Sequence, residues 1–271
     1  MSLSADDLRS YFDRIGWDGE PRANRETLAT LVQAHTATIP FENLNPLLGQ
    51  PVDISPEAVV AKLVHGGRGG YCFEQNGLFR LVLETVGFSV IGLAARVLWM
   101  LPDDAVTPRT HMTLLVELAD GPVLADVGFG GAVCTGVLDF VSDVPQETPH
   151  ERYRLVQSDG EWRQQTEIAG EWRTTYRFDL TPQPQIDYEL ANWWTSTSPL
   201  SHFTQGLTVA RSPAGRRMTL RNFDFATHRL GVPSERRRLE SPAEVCAVLE
   251  TEFGIRIPDR DALISRLAAL A

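Results

Sequence analysis

The sequence predicts an α+β protein with segregated parts, on three observations. Apolar residues recur at three-and-four spacing through the first 86 positions, the period changes to two from Phe88, and helical spacing returns only near the C-terminus. The 271 residues suffice for one large unit or two compact ones with a sizeable core. Hydrophobic residues make up 43% and charged residues 22%, a composition that fits a globular chain and argues against disorder, collagen and coiled coil.

Each element has its own signal. Ser4 caps a first helix whose positions Leu8, Tyr11, Phe12 and Ile15 share a face, and Gly16 ends it. Asn24 caps a second, carrying Leu28, Leu31 and Val32. Ser55-Pro56 reads as a cap with proline at the first helical position, and Val59, Val60, Leu63 and Val64 continue the apolar face. The run HGGRGG interrupts this pattern; Phe73, Leu78, Leu81, Val82 and Val86 then mark a helix that stops at Gly87. From Phe88, segments 88–100, 111–118, 123–127, 152–158, 161–168 and 171–178 read as strands. The turn dipeptides Asp120-Gly121, Asp159-Gly160 and Ala169-Gly170 between them predict an antiparallel meander or small barrel. Past Leu180 come a proline-rich link, a tryptophan pair, strand-like runs near 206–211 and 217–225, and a helix opened by the capping box Ser241-Pro242-Ala243-Glu244, with Val245, Val248 and Leu249 on its buried side. The units are set at 1–86, 87–195 and 196–271.

Lys and Arg total 25 against 35 Asp and Glu, a formal charge of −10 that repels a polyphosphate backbone, so no nucleic-acid partner is expected. The short basic runs Arg216-Arg217 and Arg236-Arg237-Arg238 read as solvated charge. No stretch approaches the roughly 18 apolar residues that span a bilayer, and the N-terminus lacks a basic-then-apolar leader, so neither membrane nor export is expected. Cys72, Cys134 and Cys246 are odd in number, far apart and outside metal-ligand spacing. That predicts no disulfide framework, no metal and a reducing, cytoplasmic setting.

The segment RGGYCFEQN, from Arg68 to Asn76, carries the strongest chemical signal. A thiol at a helix N-terminus feels the positive end of the dipole and unpaired N–H groups, which favours the thiolate. Glycines let backbone amides approach a reacting carbonyl, and the amide of Cys72 itself is a candidate oxyanion donor. The bland alternative is a buried, inert cysteine. A nucleophilic thiol needs a base and the base an orienting acceptor. Among six histidines, His111 opens the best strand, THMTLLVEL, and Asp126 is an acid inside the apolar run VLADVGFGG, where an unpaired charge would be costly. An edge histidine and a strand-end turn residue are the alternatives for these two. A two-residue loop at Asp120-Gly121 sets Asp126 opposite Leu115, on the face of His111 but about 13 Å along the strand from it. A plain hairpin therefore leaves the pair apart, and a bulge, strong twist or longer loop has to supply the rest.

The segments RGGYCFEQN, RTHM from Arg109 and ADVGFGG from Ala125 resemble the three sequence signatures of the arylamine N-acetyltransferases, in their bacterial form. PFENL, from Pro40 to Leu44, matches a fourth family segment, and ANWWTSTSPLSHF, from Ala191 to Phe203, is similar to a fifth. The matches run in order from Pro40 to Phe203.

That resemblance implies an N-terminal helical bundle, a central antiparallel β-barrel and a C-terminal α/β lid around a cysteine-protease-like core. Cys72, His111 and Asp126 fall at the family's catalytic triad. The family passes acetyl from acetyl-CoA through a cysteine thioester to an arylamine, arylhydrazine or N-hydroxyarylamine, with ping-pong kinetics and no metal. Thr110, Gly128, Phe129, Gly130 and Gly131 would lie at the pantetheine and pyrophosphate of CoA, and His228 lies where some relatives contact it. Phe129, Tyr71 and Phe203 would line the acceptor pocket, bordered by Phe41, and Glu42 and Arg68 match a buried ion pair. The partners implied are these small molecules, and a homodimer is the assembly left open. A related amide synthase or thiol hydrolase would use the same three residues, and a CoA or aromatic-ligand binder would not need them.

Overall fold

Capping decides where the first helices begin. The computed structural model describes residues 2–270; Met1 and Ala271, the outer ends of the first and third sequence units, lie outside the described residues. In α1 (Ala5–Ile15) the Ser4 side chain accepts from the Asp7 amide, and Gly16 closes the helix in the left-handed conformation. In α2 (Arg25–Thr38) Asn24 accepts from Thr27. A two-residue strand β1 (Phe41–Glu42) and the short α3 (Leu44–Leu47) follow. Ser55 caps α4 (Pro56–Val59), which continues as a wider π-helical turn, Val60–His65. The long α5 (Cys72–Val86) ends at Gly87, again left-handed.

The middle of the chain is a sheet of seven antiparallel strands: β2 (Ser89–Val97), β3 (His111–Glu117), β4 (Val123–Ala125), β5 (Leu138–Asp139), β6 (Tyr153–Ser158), β7 (Glu161–Ile168) and β8 (Glu171–Pro182). Their order is β5-β4-β3-β2-β8-β7-β6. The segment after β5 bridges back to β6 through Gln146 and Tyr153, which all but closes the barrel. Left-handed backbone at Asp159, Gly160, Ala169 and Gly170 gives the tight hairpins that the dipeptides predict.

The β3–β4 connection differs from the expectation. The two-residue loop is Ala119-Asp120, one position earlier than expected, closed by the Gly121 amide on the Leu118 carbonyl at 3.1 Å. Leu114 therefore pairs with Ala125, and Asp126 comes opposite Thr113 rather than Leu115. The offset from His111 falls to two residues, about 7 Å, on the same face.

After the barrel come α6 (Gln185–Thr197), α7 (His202–Gln205), four strands β9 (Thr208–Arg211), β10 (Arg217–Arg221), β11 (Asp224–His228) and β12 (Glu235–Arg238), and the helices α8 (Pro242–Thr251) and α9 (Arg260–Ala268). The run expected as one strand at 217–225 is a hairpin, because Asn222 adopts a left-handed φ of 51° and turns the chain between β10 and β11. The proline-rich link and tryptophan pair belong to the end of β8 and to α6, so the boundary at 195/196 falls inside a helix. The second sheet has the order β1-β9-β10-β11-β12, its edge strand coming from the N-terminal part of the chain.

Three apolar cores follow this layout. One joins the helices to the outer face of β2 and β3, one fills the barrel around Leu93, Leu115, Tyr153 and Tyr176, and one lies beneath the second sheet. At about 1.5–3 kcal/mol for each fully buried large apolar side chain, they are the main source of stability.

Candidate active site

The glycines before α5 are required by close packing. A Cβ on Gly69 would lie 1.8 Å from the Pro40 carbonyl oxygen, and one on Gly70 would lie 2.5 Å from the Glu74 carboxylate. The bare backbone lets Gly70 pair with β1, where its carbonyl accepts from the Glu42 amide at 3.1 Å. Beneath it lies a buried charge cluster. Glu42 accepts from Arg68 Nε and Nη2 at 2.9 and 2.7 Å, and Glu74 pairs with Lys62 at 2.5 Å. Burial raises the Glu74 carboxyl, which Lys62 opposes and Glu42 reinforces. Removing one partner of such a buried pair costs about 3–5 kcal/mol, so the loop that presents Cys72 is held firmly.

Cys72 is the first residue of α5, where the initial amides have no intrahelical acceptor. Its thiol donates to the Thr110 carbonyl at 3.3 Å. The next residue, His111, donates from Nε2 to Asp126 Oδ2 at 2.6 Å. All three side chains are at most 3% exposed: Cys72 3%, His111 2% and Asp126 1%. Burial by itself lowers the His111 imidazole, but the Asp126 charge and hydrogen bond, aided by the Cys72 sulfur, outweigh it and raise the group to about 10. Burial likewise disfavours the Asp126 carboxylate, and His111 with Asn76 and the Gly128 amide hold it below its ordinary range. The stable resting form of this pair is imidazolium and carboxylate.

Asn76, one turn along α5 from Cys72, ties these parts together. Its Nδ2 donates to Asp126 Oδ1 at 2.9 Å and to the Met112 carbonyl at 2.7 Å, and its Oδ1 accepts from the Val127 amide at 3.0 Å. The Gly128 amide completes the Asp126 shell at 2.8 Å. A Cβ on Gly128 would lie 2.7 Å from Cys72 Cα, so this glycine is what lets the loop after β4 touch the start of α5. Sequence reasoning passed over Asn76, although its spacing from Cys72 puts both on one helical face. It also missed Tyr176, whose ring centroid lies 4.7 Å from that of His111 and whose hydroxyl accepts from Gln164 at 2.7 Å. Phe129 packs T-shaped against His111 at 5.3 Å, so the imidazole lies between two aromatic rings.

The other expected residues fall into two groups. Tyr71, Phe203 and Phe41 form one aromatic cluster, with centroids 5.4 Å apart for Tyr71 and Phe203 and 5.8 Å for Phe41 and Phe203. Tyr71 is fully buried and its hydroxyl donates to Asn192. Ser201 Oγ accepts from the Phe203 amide and donates to the Thr195 carbonyl, so part of the ANWWTSTSPLSHF segment serves to hold Phe203. Phe129 lies apart from this cluster, against His111, Trp99 and Tyr176. Gly130 and Gly131 open a short 3-10 turn ending at Ala132, and a Cβ on Gly131 would lie 3.0 Å from Thr219. Thr219 in turn hydrogen-bonds His228 at 3.3 Å, which links His228 to the glycine loop, not to Cys72. Burial lowers the His228 imidazole. Among the described residues no cluster of three or more His, Cys, Asp or Glu side chains is arranged to hold a metal ion. None of their helices is long and apolar enough to cross a membrane.

Comparison with known proteins bears on what this arrangement does. A family model described as N-acetyltransferase matches residues 24–262. The arylamine N-acetyltransferase of Mycolicibacterium smegmatis is 46% identical over 93% of this chain and 93% of its own, and that of Escherichia coli K12 is 44% identical over 93% and 90%. The structure of the Mycobacterium marinum arylamine N-acetyltransferase in complex with CoA superposes with a TM-score of 0.94 at 39% identity, covering 97% of this chain and 99% of that one.

Proposed function

Because the chain belongs to the arylamine N-acetyltransferase family, we propose that Cys72, His111 and Asp126 carry out its acetyl-CoA-dependent acetylation of arylamines by a ping-pong route. The observation that carries the assignment is the buried His111–Asp126 bond of 2.6 Å beside the thiol at the start of α5. Asp126 occupies Nε2 and fixes the tautomer, leaving Nδ1 for the sulfur.

His111, cationic at rest, stabilises the thiolate of Cys72. The thiolate attacks the acetyl carbonyl carbon of acetyl-CoA, and the amide of Cys72 donates to the resulting oxyanion. The bond from that carbon to the CoA sulfur then breaks, the sulfur takes the proton of His111, and acetyl-Cys72 and a neutral imidazole remain. Acetylation also removes the thiolate charge that helps hold the proton on His111. The arylamine nitrogen attacks acetyl-Cys72, neutral His111 accepts the amine proton, and the carbon–sulfur bond breaks to restore thiolate and imidazolium. Arylhydrazines and N-hydroxyarylamines enter by the same step.

Thr110, Gly128, Phe129, Gly130, Gly131 and His228 are proposed to contact the acyl donor. The Cβ-free turn beside Cys72 and the Thr219 link to His228 support this surface. Phe41, Tyr71, Phe129 and Phe203 are proposed as the walls of the acceptor pocket, Tyr71 acting from behind as a buried support. The division at 1–86, 87–195 and 196–271 then has a functional sense, since the thiol comes from the first unit, the base and acid from the second, and His228 from the third. A cytoplasmic location is proposed on three unpaired cysteines and a reaction that needs a reduced thiol. Ile186, Trp193 and Leu200, exposed along and just past α6, are the surface that would carry a homodimer.

The test is intact-protein mass after exposure to acetyl-CoA, for wild type and Cys72→Ser, followed by an arylamine. Wild type should gain one acetyl group and lose it to the amine, and the variant should gain none. No acetyl on wild type, with Cys72 still alkylated rapidly by iodoacetamide, would shift the assignment to a hydrolase or amide synthase.

A further inference from the structure

We propose that Arg217 and Tyr153 are positioning residues for the acyl donor, locking the glycine turn of the barrel to the second sheet so that Gly130, Gly131 and His228 form one surface. The inference rests on the acyl-donor contacts proposed above and concerns what holds them together. Gly130 and Gly131 follow β4 of the barrel, whereas His228 ends β11. The strands form two separate sheets, so the relative placement of these residues depends on side chains.

Arg217 lies opposite His228 in the β10–β11 pair, with its side chain on the same face. It is buried, and its Nε donates to the two Glu151 carboxylate oxygens at 3.0 and 2.8 Å. Its Nη2 donates to Glu151 Oε2 at 2.5 Å and to the Tyr153 hydroxyl at 3.3 Å, and its Nη1 to Ser212 Oγ at 2.9 Å. A forked guanidinium–carboxylate bond fixes direction as well as distance. Tyr153, in β6 of the barrel, carries the constraint onward. Its hydroxyl donates to the carbonyls of Ala132 and Val133, at 3.0 and 3.2 Å, where the glycine turn ends. Burial raises the Tyr153 phenol, so it keeps the proton that it donates.

A second tie runs beside the first. His150 Nε2 meets the carbonyls of Pro213 and Arg216, both at 3.1 Å, in the turn between β9 and β10. Carbonyls only accept, so Nε2 carries the ring proton and Nδ1 accepts from the Thr135 hydroxyl at 2.9 Å. Both ends of the segment 132–135 are thus fastened to the strand that carries Arg217 or to the turn before it. The gap they set is narrow. A Cβ on Gly131 would lie 3.0 Å from Thr219, two positions after Arg217 on the same face of β10, and Thr219 hydrogen-bonds His228. None of these hydrogen bonds involves Cys72, His111 or Asp126, so loosening them should act on the donor surface and leave the thiol intact.

Kinetics on the full chain with two acetyl donors test this. Acetyl-CoA needs the whole surface, whereas p-nitrophenyl acetate brings the same acetyl group to Cys72 without CoA. In Arg217→Lys and Tyr153→Phe, kcat/KM for acetyl-CoA should fall about tenfold and about threefold, through KM, while acetylation by p-nitrophenyl acetate and kcat/KM for the arylamine stay within about twofold of wild type. Lysine keeps the charge opposite Glu151 but lacks the fork that also reaches Tyr153. Tyr153→Phe removes only a hydroxyl, so both variants should fold, as circular dichroism would report. Equal losses with both donors would make the network a support of the triad, and unchanged acetyl-CoA kinetics would make it structural only; either result overturns the inference. Wild type that takes acetyl from p-nitrophenyl acetate but not from acetyl-CoA would overturn the donor assignment itself, and the inference with it.

Discussion

Two histidines in this molecule are equally hidden from water, yet one is neutral and the other cationic. His35, in the helical core, is fully buried; its Nδ1 meets the Tyr11 hydroxyl at 2.9 Å and its Nε2 the Gln75 amide oxygen at 2.6 Å. With neutral partners, burial prevails and lowers the imidazole to about 4, Arg14 adding to the effect against the opposing Gln75 bond. His111 in the barrel is just as enclosed, but its Nε2 meets a carboxylate, and it is raised to about 10. Burial therefore removes water's vote without deciding the charge, and the one partner at Nε2 decides it.

Changing that partner should have the largest effect. In Asp126→Asn, His111 meets an amide as His35 does, its titration should move from about 10 to below the ordinary value of 6.5, and kcat should fall on the order of 10³–10⁴-fold. Histidine NMR titration beside steady-state kinetics reads both, and a His111 still cationic at pH 9 would break the comparison. Gly128→Ala separates charge from position. The added Cβ presses on Cys72 Cα and Asn76 Nδ2, both 2.7 Å away, so turnover should drop on the order of 10²-fold while His111 keeps its proton.

The converse change is Gln75→Glu, which gives His35 a carboxylate. Its imidazole should rise from about 4 to above 6.5. The price is two backbone carbonyls, Pro40 and Gly70, that lose the Gln75 donor, a destabilisation of about 1–3 kcal/mol measurable by urea unfolding. A His35 that fails to rise would mean that the helical core overrides its partner. The smallest effect is in the pH dependence of stability, because the two histidines set opposite flanks. His111 binds its proton more tightly folded than unfolded, so its contribution is complete below pH 6.5 and is lost as pH rises toward 10. His35 binds its proton less tightly folded, so its contribution is complete above pH 6.5 and is lost as pH falls toward 4. Each flank should slope by at most about 1.4 kcal/mol per pH unit, and unfolding at pH 5, 7 and 9 should show the maximum in between. Asp126→Asn should flatten the alkaline flank and, by lowering His111 below 6.5, steepen the acid one.

Local chemistry made much of the fold legible. Ser4, Asn24 and Ser55 cap where their types predict, Gly16 and Gly87 close helices, and Asp159-Gly160 and Ala169-Gly170 turn their hairpins. The helix α6 was illegible for a physical reason. Its buried positions are Tyr188, Asn192, Thr195 and Ser196, and its exposed ones include Ile186, Leu190 and Trp193, so the apolar pattern points the wrong way. The strand β1 is too short to have a period. In the candidate site, Cys72 was readable from glycines before a helix, His111 from its place at the start of the best strand, and Asp126 from its misfit in an apolar run. The contact between the last two was not, because it depends on the two-residue turn falling at Ala119-Asp120, one position before Asp120-Gly121. Asn76 left a signal in its spacing, whereas Tyr176 reaches His111 from a distant strand and left none.

The strand β1 pairs with β9, and Asn43 just beyond it accepts from the amide of Thr208, 165 positions later in the chain. On the ribosome, which releases the N-terminal part first, the segment around Phe41 waits for its partner until most of the polypeptide has emerged. Gly70, on the approach to Cys72, is hydrogen-bonded to this same late-paired strand. The nucleophile's loop is thus among the last parts of the nascent chain to acquire its final support, and such long-range closure slows folding. A reactive thiol whose scaffold matures late spends the vulnerable period of synthesis without its activating geometry.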